Sequence, residues 1–203
     1  MKTINERIVN KRKDSNSEYV DALQERHSKL CVVRLDFYCN KNNDNVADVS
    51  FEDANRDFNR LLGNRRNKQS IFKDNIGYIC KKEETSDRGV HFHTIFFYDG
   101  QKVMHDVHKA KQIGEYWSKD IRKGKGHYNN CNLSADKKYG EKNGIGMIDY
   151  KDKKKRENLD VSIGYMCKDV QKIEEDTDSK KNRSIVRGTL PKDKSNKGRP
   201  RKK

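Results

Sequence analysis

Two prolines in 203 residues, Pro191 and Pro200, leave almost the whole chain free of the strongest breaker of helices and sheets. Cysteine offers no framework either. Cys31, Cys39, Cys80, Cys131 and Cys167 form no CxxC pair, and their odd number excludes a fully paired disulfide scaffold. Reduced thiols in the cytoplasm are the expectation. Apolar runs stay far short of the ~20 residues a spanning helix needs, so no membrane partner is expected. The opening MKTINERIVNKRK lacks the apolar stretch of a signal peptide. Acidic residues are scarce as well, 31 against 46 Lys and Arg, for a net charge of +15. That excess bears on partners rather than fold, and it favours nucleic acid. A merely basic, ribosome-like surface gives the same total, so charge alone assigns nothing.

Hydrophobic residues are only 32% of the chain, yet they cluster, which predicts a small packed core rather than global disorder. Residues 1–27 read as a polar N-terminal segment, with a modest helical pattern at Tyr19, Val20 and Leu23. CVVRLDFYC (31–39) has the content of a strand, and Arg34 and Asp36 within it mark one polar face. A polar loop follows from Asn40 to Asn45. SFEDANRDFNRLL (50–62) predicts a helix, with Ser50 as cap and Phe51, Ala54, Phe58 and Leu61 or Leu62 at helical spacing. NIGYICKKEE (75–84) and VHFHTIFFYDG (90–100) are strands joined by the polar TSDRG.

Val103, Val107, Ala110, Ile113 and Trp117 mark a helix over about 103–121. HYNNC (127–131) and GIGMIDY (144–150) are short strands with a loop, Asn132 to Asn143, between them. Leu159, Ile163, Met166 and Val170 predict a last helix over about 155–173. This order predicts an α+β domain over 28–178: an antiparallel sheet in a split β-α-β, ferredoxin- or RRM-like layout, with helices mainly on one face. The other face is expected to be free and to carry the site. Residues 179–203 hold 11 Lys or Arg against the single acid Asp193, and read as a disordered basic arm.

GVHFHTIFF (89–97) places two histidines inside the most apolar strand. Side chains alternate along a strand, so His91 and His93 share one face while Phe92 and Phe96 fill the other. Two imidazoles on one face can approach one metal ion, although two ordinary histidines fit the pattern as well. A carboxylate across the hairpin supplies a third ligand. Glu83 and Glu84 are the candidates, and alternation admits only one of them; Glu83 is preferred, with Glu84 as substitute if a bulge intervenes. Such a set suits Mn²⁺, Mg²⁺, Fe²⁺ or Zn²⁺, and a phosphate substrate favours Mg²⁺ or Mn²⁺. On the last helix, Tyr165 and Lys168 stand three apart and share a surface. A phenol, with a free pKa of about 10, becomes a usable nucleophile beside a cation or metal. A half-buried tyrosine next to a solvated lysine is the plainer reading.

HFHTIFF resembles the His-hydrophobic-His motif of the HUH endonucleases, YMCK resembles their Tyr-x-x-Lys motif, and VVRLDFYC occupies the place of the first strand motif of rolling-circle replication initiators. The order and spacing of these segments, with EETSDRGVHFHTIFFYDG, IGEYW, HYNNCN and GIGMIDY, most resemble inovirus-type phage and prophage proteins carrying a YagK/YfjJ C-terminal domain. The resemblance covers roughly residues 30–190. It implies a single-tyrosine enzyme that nicks and joins single-stranded origin DNA. His91, His93 and Glu83 or Glu84 are then metal ligands, Tyr165 the catalytic nucleophile, and Lys168 its neighbour for phosphate. No GxxxxGK[ST] phosphate loop is present, so unwinding falls to a host helicase and extension to a host polymerase.

Arg34 and Arg88 are expected DNA contacts, together with Lys197, Arg199 and Arg201 of the arm. The terminal KGRPRKK resembles an AT-hook core, although a cationic tail binding phosphates without preference fits it too. A relaxase- or transposase-like relative is the alternative within the same chemistry. A non-catalytic module stacking bases on Phe37 or Tyr38 is the alternative outside it.

Overall fold

A computed structural model describes residues 3–40, 49–168 and 184–191. The first helix, α1 (Ile4–Arg26), is closed at its start by a reciprocal box: the Thr3 hydroxyl accepts from the Glu6 amide at 3.2 Å, and the Glu6 carboxylate accepts from the Thr3 amide at 2.8 Å. The segment expected to be a polar lead-in is therefore a 23-residue helix. Its apolar residues Tyr19, Val20 and Leu23 sit near its end and are fully buried, which is why the helical pattern is faint over the rest.

Three long strands follow the split order. They are β1 (Lys29–Tyr38), β2 (Asn75–Thr85) and β3 (Gly89–Asp99), with β3 antiparallel to and between the other two. Short strands finish the sheet: β4 (His127–Asn130) and β5 (Gly146–Asp149) lie end to end along the outer side of β1, and β6 (Ile185–Arg187) pairs with β2. The spatial order is β4-β1-β3-β2-β6, and every pairing is antiparallel. The α+β class and the split layout are as expected. Strand β6 falls inside the segment expected to be a disordered arm, so the ordered chain reaches beyond residue 179; Lys197, Arg199 and Arg201 lie outside the described residues.

One face of the sheet is closed by α2 (Phe51–Asn64), the single turn α3 (Gln69–Phe72), and α4 (Asp106–Glu115) with its π-helical extension Tyr116–Ile121. Ser50 caps α2 as expected, accepting from the Asp53 amide at 3.1 Å. The core here joins Val33, Leu35, Phe37, Phe92 and Phe96 of the sheet to Ala54, Phe58, Leu61, Ile113 and Trp117. Phe58 stacks on Phe92 with ring centroids 4.4 Å apart, and the Trp117 indole N–H donates to the Tyr38 carbonyl at 3.0 Å.

The opposite face, expected to be free, is covered over one half. There α1 and α6 (Lys153–Met166) pack Tyr19, Leu23, Leu159, Ile163 and Met166 onto Leu30, Val32, Ile79, Ile95 and Phe97. The reason lies in the parity of the strands: the same alternation that points His91 and His93 outward also points Ile95 and Phe97 outward, and those need cover. The expected loop over Asn132 to Asn143 holds short turns and the helix α5 (Ala135–Tyr139). Among the described residues no helix is long and apolar enough to cross a membrane. Phe58→Ala is expected to cost about 3–5 kcal/mol of unfolding free energy, as for other buried aromatics. Urea denaturation measures it, and a loss below about 1 kcal/mol would mean that α2 is not part of this core.

Candidate metal centre

The half of the second face away from α1 and α6 carries the site, whose side chains bury one another (as whole residues His91 is 1% and Lys81 3% exposed), and strand register assembles it. Glu83 of β2 lies directly across from His91 of β3, and Lys81 across from His93. On the other flank Asp36 of β1 lies across from His93, and Tyr38 across from His91. Glu83 Oε2 is 3.2 Å from His91 Nε2 and 3.0 Å from His93 Nε2. Among the described residues these three form the group able to hold a metal ion. Glu84, the substitute candidate, pairs with Val90 and is exposed, so the strand runs without the bulge that would have brought it in.

Each imidazole is oriented by a bond through its other nitrogen. His91 Nδ1 donates to the Gly89 carbonyl at 3.0 Å, an acceptor that admits only the N–H form. His93 Nδ1 donates to Asp36 Oδ1 at 2.7 Å. Both rings therefore turn Nε2 toward Glu83, the arrangement in which an outer carboxylate or carbonyl fixes a metal-ligating histidine. Gly89 makes this possible with φ +62°, a backbone state that a side chain strains. With Nε2 lone pairs and a carboxylate converging, a shared cation is what the donor set fits; without one, a proton must serve.

Electrostatics place that proton on His93. Burial opposes its charge, but hydrogen bonds to Asp36 and Glu83 outweigh burial and raise it to about 9. Glu83 is held far below the usual carboxylate range by its contacts with His91 and His93, with Lys81 adding to them against its burial. Asp36 is lowered too: burial alone would raise it, and the His93 bond and the Arg34 charge prevail. The Cys131 thiol, pushed up to about 12 by burial and by Asp36, stays protonated and donates to Asp36 Oδ2 at 3.5 Å.

Lys81 is the least expected member. Its ammonium is 4% exposed, lies 2.5 Å from Glu83 Oε1, and donates to the Lys168 carbonyl at 2.5 Å. That contact brings the C-terminal end of α6 to the site. Tyr165, in the last turn of α6, is 65% exposed, and the Lys168 ammonium sits 4.6 Å from the centre of its ring. The part of the expected last helix beyond residue 168 lies outside the described residues.

Arg34 lies on the site's face beside Asp36, its Nε buried without a partner. Arg88 is exposed in the hairpin turn, where it bonds the Tyr38 hydroxyl and pairs with Asp87 at 3.1 Å. The Tyr38 ring stacks against both His127, at 4.4 Å, and His91, at 5.8 Å. Phe37 is corrected as a base-stacking candidate, because it is fully buried beneath α2. Asp36, Lys81 and Cys131 were not legible as site residues, although Asp36 and Lys81 carry the one available signal: a charged residue inside a strand at the parity of the histidines.

A split β-α-β sheet that presents two oriented imidazoles and a carboxylate at its open end defines a candidate metal-binding domain. The chain belongs to the YagK/YfjJ C-terminal domain family, whose model matches residues 3–182. That span includes α1, in keeping with its burial. No curated protein and no solved structure matches the chain.

Three outcomes are expected of this centre. Metal binding must expel the His93 proton, so Mn²⁺ affinity should rise with pH up to about 9 and then level off; calorimetry in buffers of different ionisation heat reads the released proton. In the metal-free protein, the stability that His93 contributes is complete below its ordinary value near 6.5 and is lost as pH rises through about 9. Asp36→Asn should weaken Mn²⁺ binding about 10- to 100-fold, as loss of an orienting partner does elsewhere. An unchanged affinity would remove Asp36 from the centre.

Proposed function

We propose that this domain is a metal-dependent enzyme that nicks and rejoins single-stranded DNA through Tyr165, initiating rolling-circle replication of a phage, prophage or plasmid-like element in the host cytoplasm. The observation that carries the reading is the shared contact of Lys81 with Glu83 and with the Lys168 carbonyl. It sets the end of the helix bearing Tyr165 two hydrogen bonds from the Glu83–His91–His93 group. A metal group and a tyrosine-lysine turn side by side are the two parts that phosphodiester transesterification requires.

The net charge of +15 supports a polyanionic substrate. Arg34 on the site's face and the exposed Arg88 on the hairpin turn would meet phosphates of a strand laid across this part of the sheet. Bound by Glu83, His91 and His93, Mg²⁺ or Mn²⁺ would supply a Lewis acid for a phosphoryl oxygen.

The remaining chemistry belongs to the chain. The Tyr165 oxygen, its proton released to solvent, forms a new bond to the scissile phosphorus. The bond from that phosphorus to the 3′ oxygen of the preceding nucleotide breaks, and the departing oxygen takes up a proton as a 3′-OH. The products are a 5′-phosphotyrosyl strand and a primer end for the host polymerase, while a host helicase opens the duplex. The Lys168 ammonium, already over the Tyr165 ring, neutralises charge on the phosphate. Attack of a later 3′-OH on the phosphotyrosine restores the phosphodiester and frees Tyr165. The ester keeps the bond energy that hydrolysis would discard.

The test uses the full chain with Mn²⁺ or Mg²⁺ and end-labelled single strands tiling the element that encodes it. The expected product is a DNA-protein adduct that survives denaturation and disappears with Tyr165→Phe or with chelator. Formation of the same adduct by Tyr165→Phe would falsify the assignment of the nucleophile.

A further inference from the structure

We infer that Lys81 is a positioning residue that couples occupancy of the metal group to the placement of the C-terminal end of α6, and so of Tyr165 and Lys168; this rests on the metal reading given above. The ammonium has three protons. One points to Glu83 Oε1 and another to the Lys168 carbonyl, each over 2.5 Å. At 4% exposure it has little access to water, so these two acceptors are its principal solvation.

The two oxygens of Glu83 have divided roles. Oε2 faces both imidazoles, while Oε1 faces Lys81. The orientation of the metal-facing oxygen therefore depends on the ammonium behind it. At the other end, Lys81 serves a carbonyl just past the last turn of α6, where helix carbonyls lack intrahelical partners and carry the negative end of the dipole. That turn is also anchored from the core side, where the buried Cys167 donates its amide to the Ile163 carbonyl at 3.1 Å and its sulfur accepts from Asn16 Nδ2 at 3.5 Å; on the site side the Lys168 amide reaches the Tyr165 carbonyl at 3.3 Å.

Lys81 is itself fixed, because it lies in β2 directly across from His93. A cation drawn in by Oε2 stiffens Glu83. A stiffer Glu83 narrows the positions open to the ammonium, and the ammonium holds the Lys168 carbonyl. Coupling of this kind is reciprocal, so a fixed helix end also strengthens cation binding. The apolar packing of α6 through Leu159, Ile163, Met166 and Cys167 joins it to α1 and the other half of the sheet, so the link from the metal group to this helix end runs through Lys81.

Hydrogen exchange on the full chain, without DNA, tests it. Amides of residues 164–168 are followed with and without saturating Mn²⁺ in the wild type, in Lys81→Met and in Lys81→Arg, with Mn²⁺ binding measured separately by calorimetry. In the wild type, Mn²⁺ should slow exchange there at least about fivefold, the lower end of ordinary coupling between sites. In Lys81→Met the metal should still bind, more weakly, while the Mn²⁺-dependent slowing is lost; Lys81→Arg, which keeps the donors, should retain part of it.

Mn²⁺ bound by the wild type with no change at 164–168 overturns the coupling and leaves the metal reading standing. Undiminished slowing in Lys81→Met overturns it equally. If the wild type binds no Mn²⁺, both readings fall. Should Lys81→Met not fold, the wild-type comparison and Lys81→Arg decide the matter: equal exchange with and without metal in both sinks the inference.

Discussion

The register of β3 between β1 and β2 governs everything functional in this molecule. Antiparallel pairing sets Asp36, His93 and Lys81 in one cross-strand row and Tyr38, His91 and Glu83 in the next. No loop has to be held in place to bring these six side chains together, because the backbone ladder already does so. The opposite parity of the same strands sends Phe37, Phe92 and Phe96 into the core under α2 and α4. A slip of one residue would exchange the two sets, burying charge and exposing aromatics. The large aromatic core thus acts as the register's lock.

The charges in the two rows are arranged to be used. Asp36 and Glu83 flank His93, and Lys81 backs Glu83 from the far side. Buried ionic groups of this kind are weak contributors to stability, since desolvation offsets much of the attraction. Their concentration on one half of one face, away from the residues that pack α1 and α6, makes them a candidate site rather than cement. A centre whose imidazoles are already oriented through their Nδ1 atoms would exchange the His93 proton for a divalent cation with little rearrangement. The orienting bonds to Gly89 and Asp36 stay the same in either state.

Much of this was legible in the chain. The split strand order, the Ser50 cap, the helical spacing of Ala54, Phe58 and Leu61, and the choice of Glu83 over Glu84 all follow from periods of two and 3.6. What escaped did so for physical reasons. The helix α1 presents its apolar residues in a single short cluster after a long polar stretch, so composition over 1–27 hides it. The cover over Ile95 and Phe97 comes from elements at the two ends of the domain, α1 and α6, which no local pattern connects. Lys81 opens the charged run Lys81-Lys82-Glu83-Glu84 and Asp36 sits two residues from Arg34, and only pairing across the sheet shows what either faces. Strand β6 has three residues inside a strongly basic tract, too few to register as a strand by content.

The outer borders of the sheet deserve a last inference from their shortness. On one side β4 and β5, four residues each, divide the flank of β1 between them. On the other, β6 pairs with only Ile79, Cys80 and Lys81 before the Ser184 carbonyl takes up the Lys82 amide at 2.7 Å. Among the described residues neither border offers a long run of open ladder positions on which a foreign strand might add. If a protein with this net positive charge were gathered in many copies on a long polyanion, crowded sheets with open margins would polymerise edge to edge. Breaking each margin into pieces of three and four residues keeps such copies from zipping into one another.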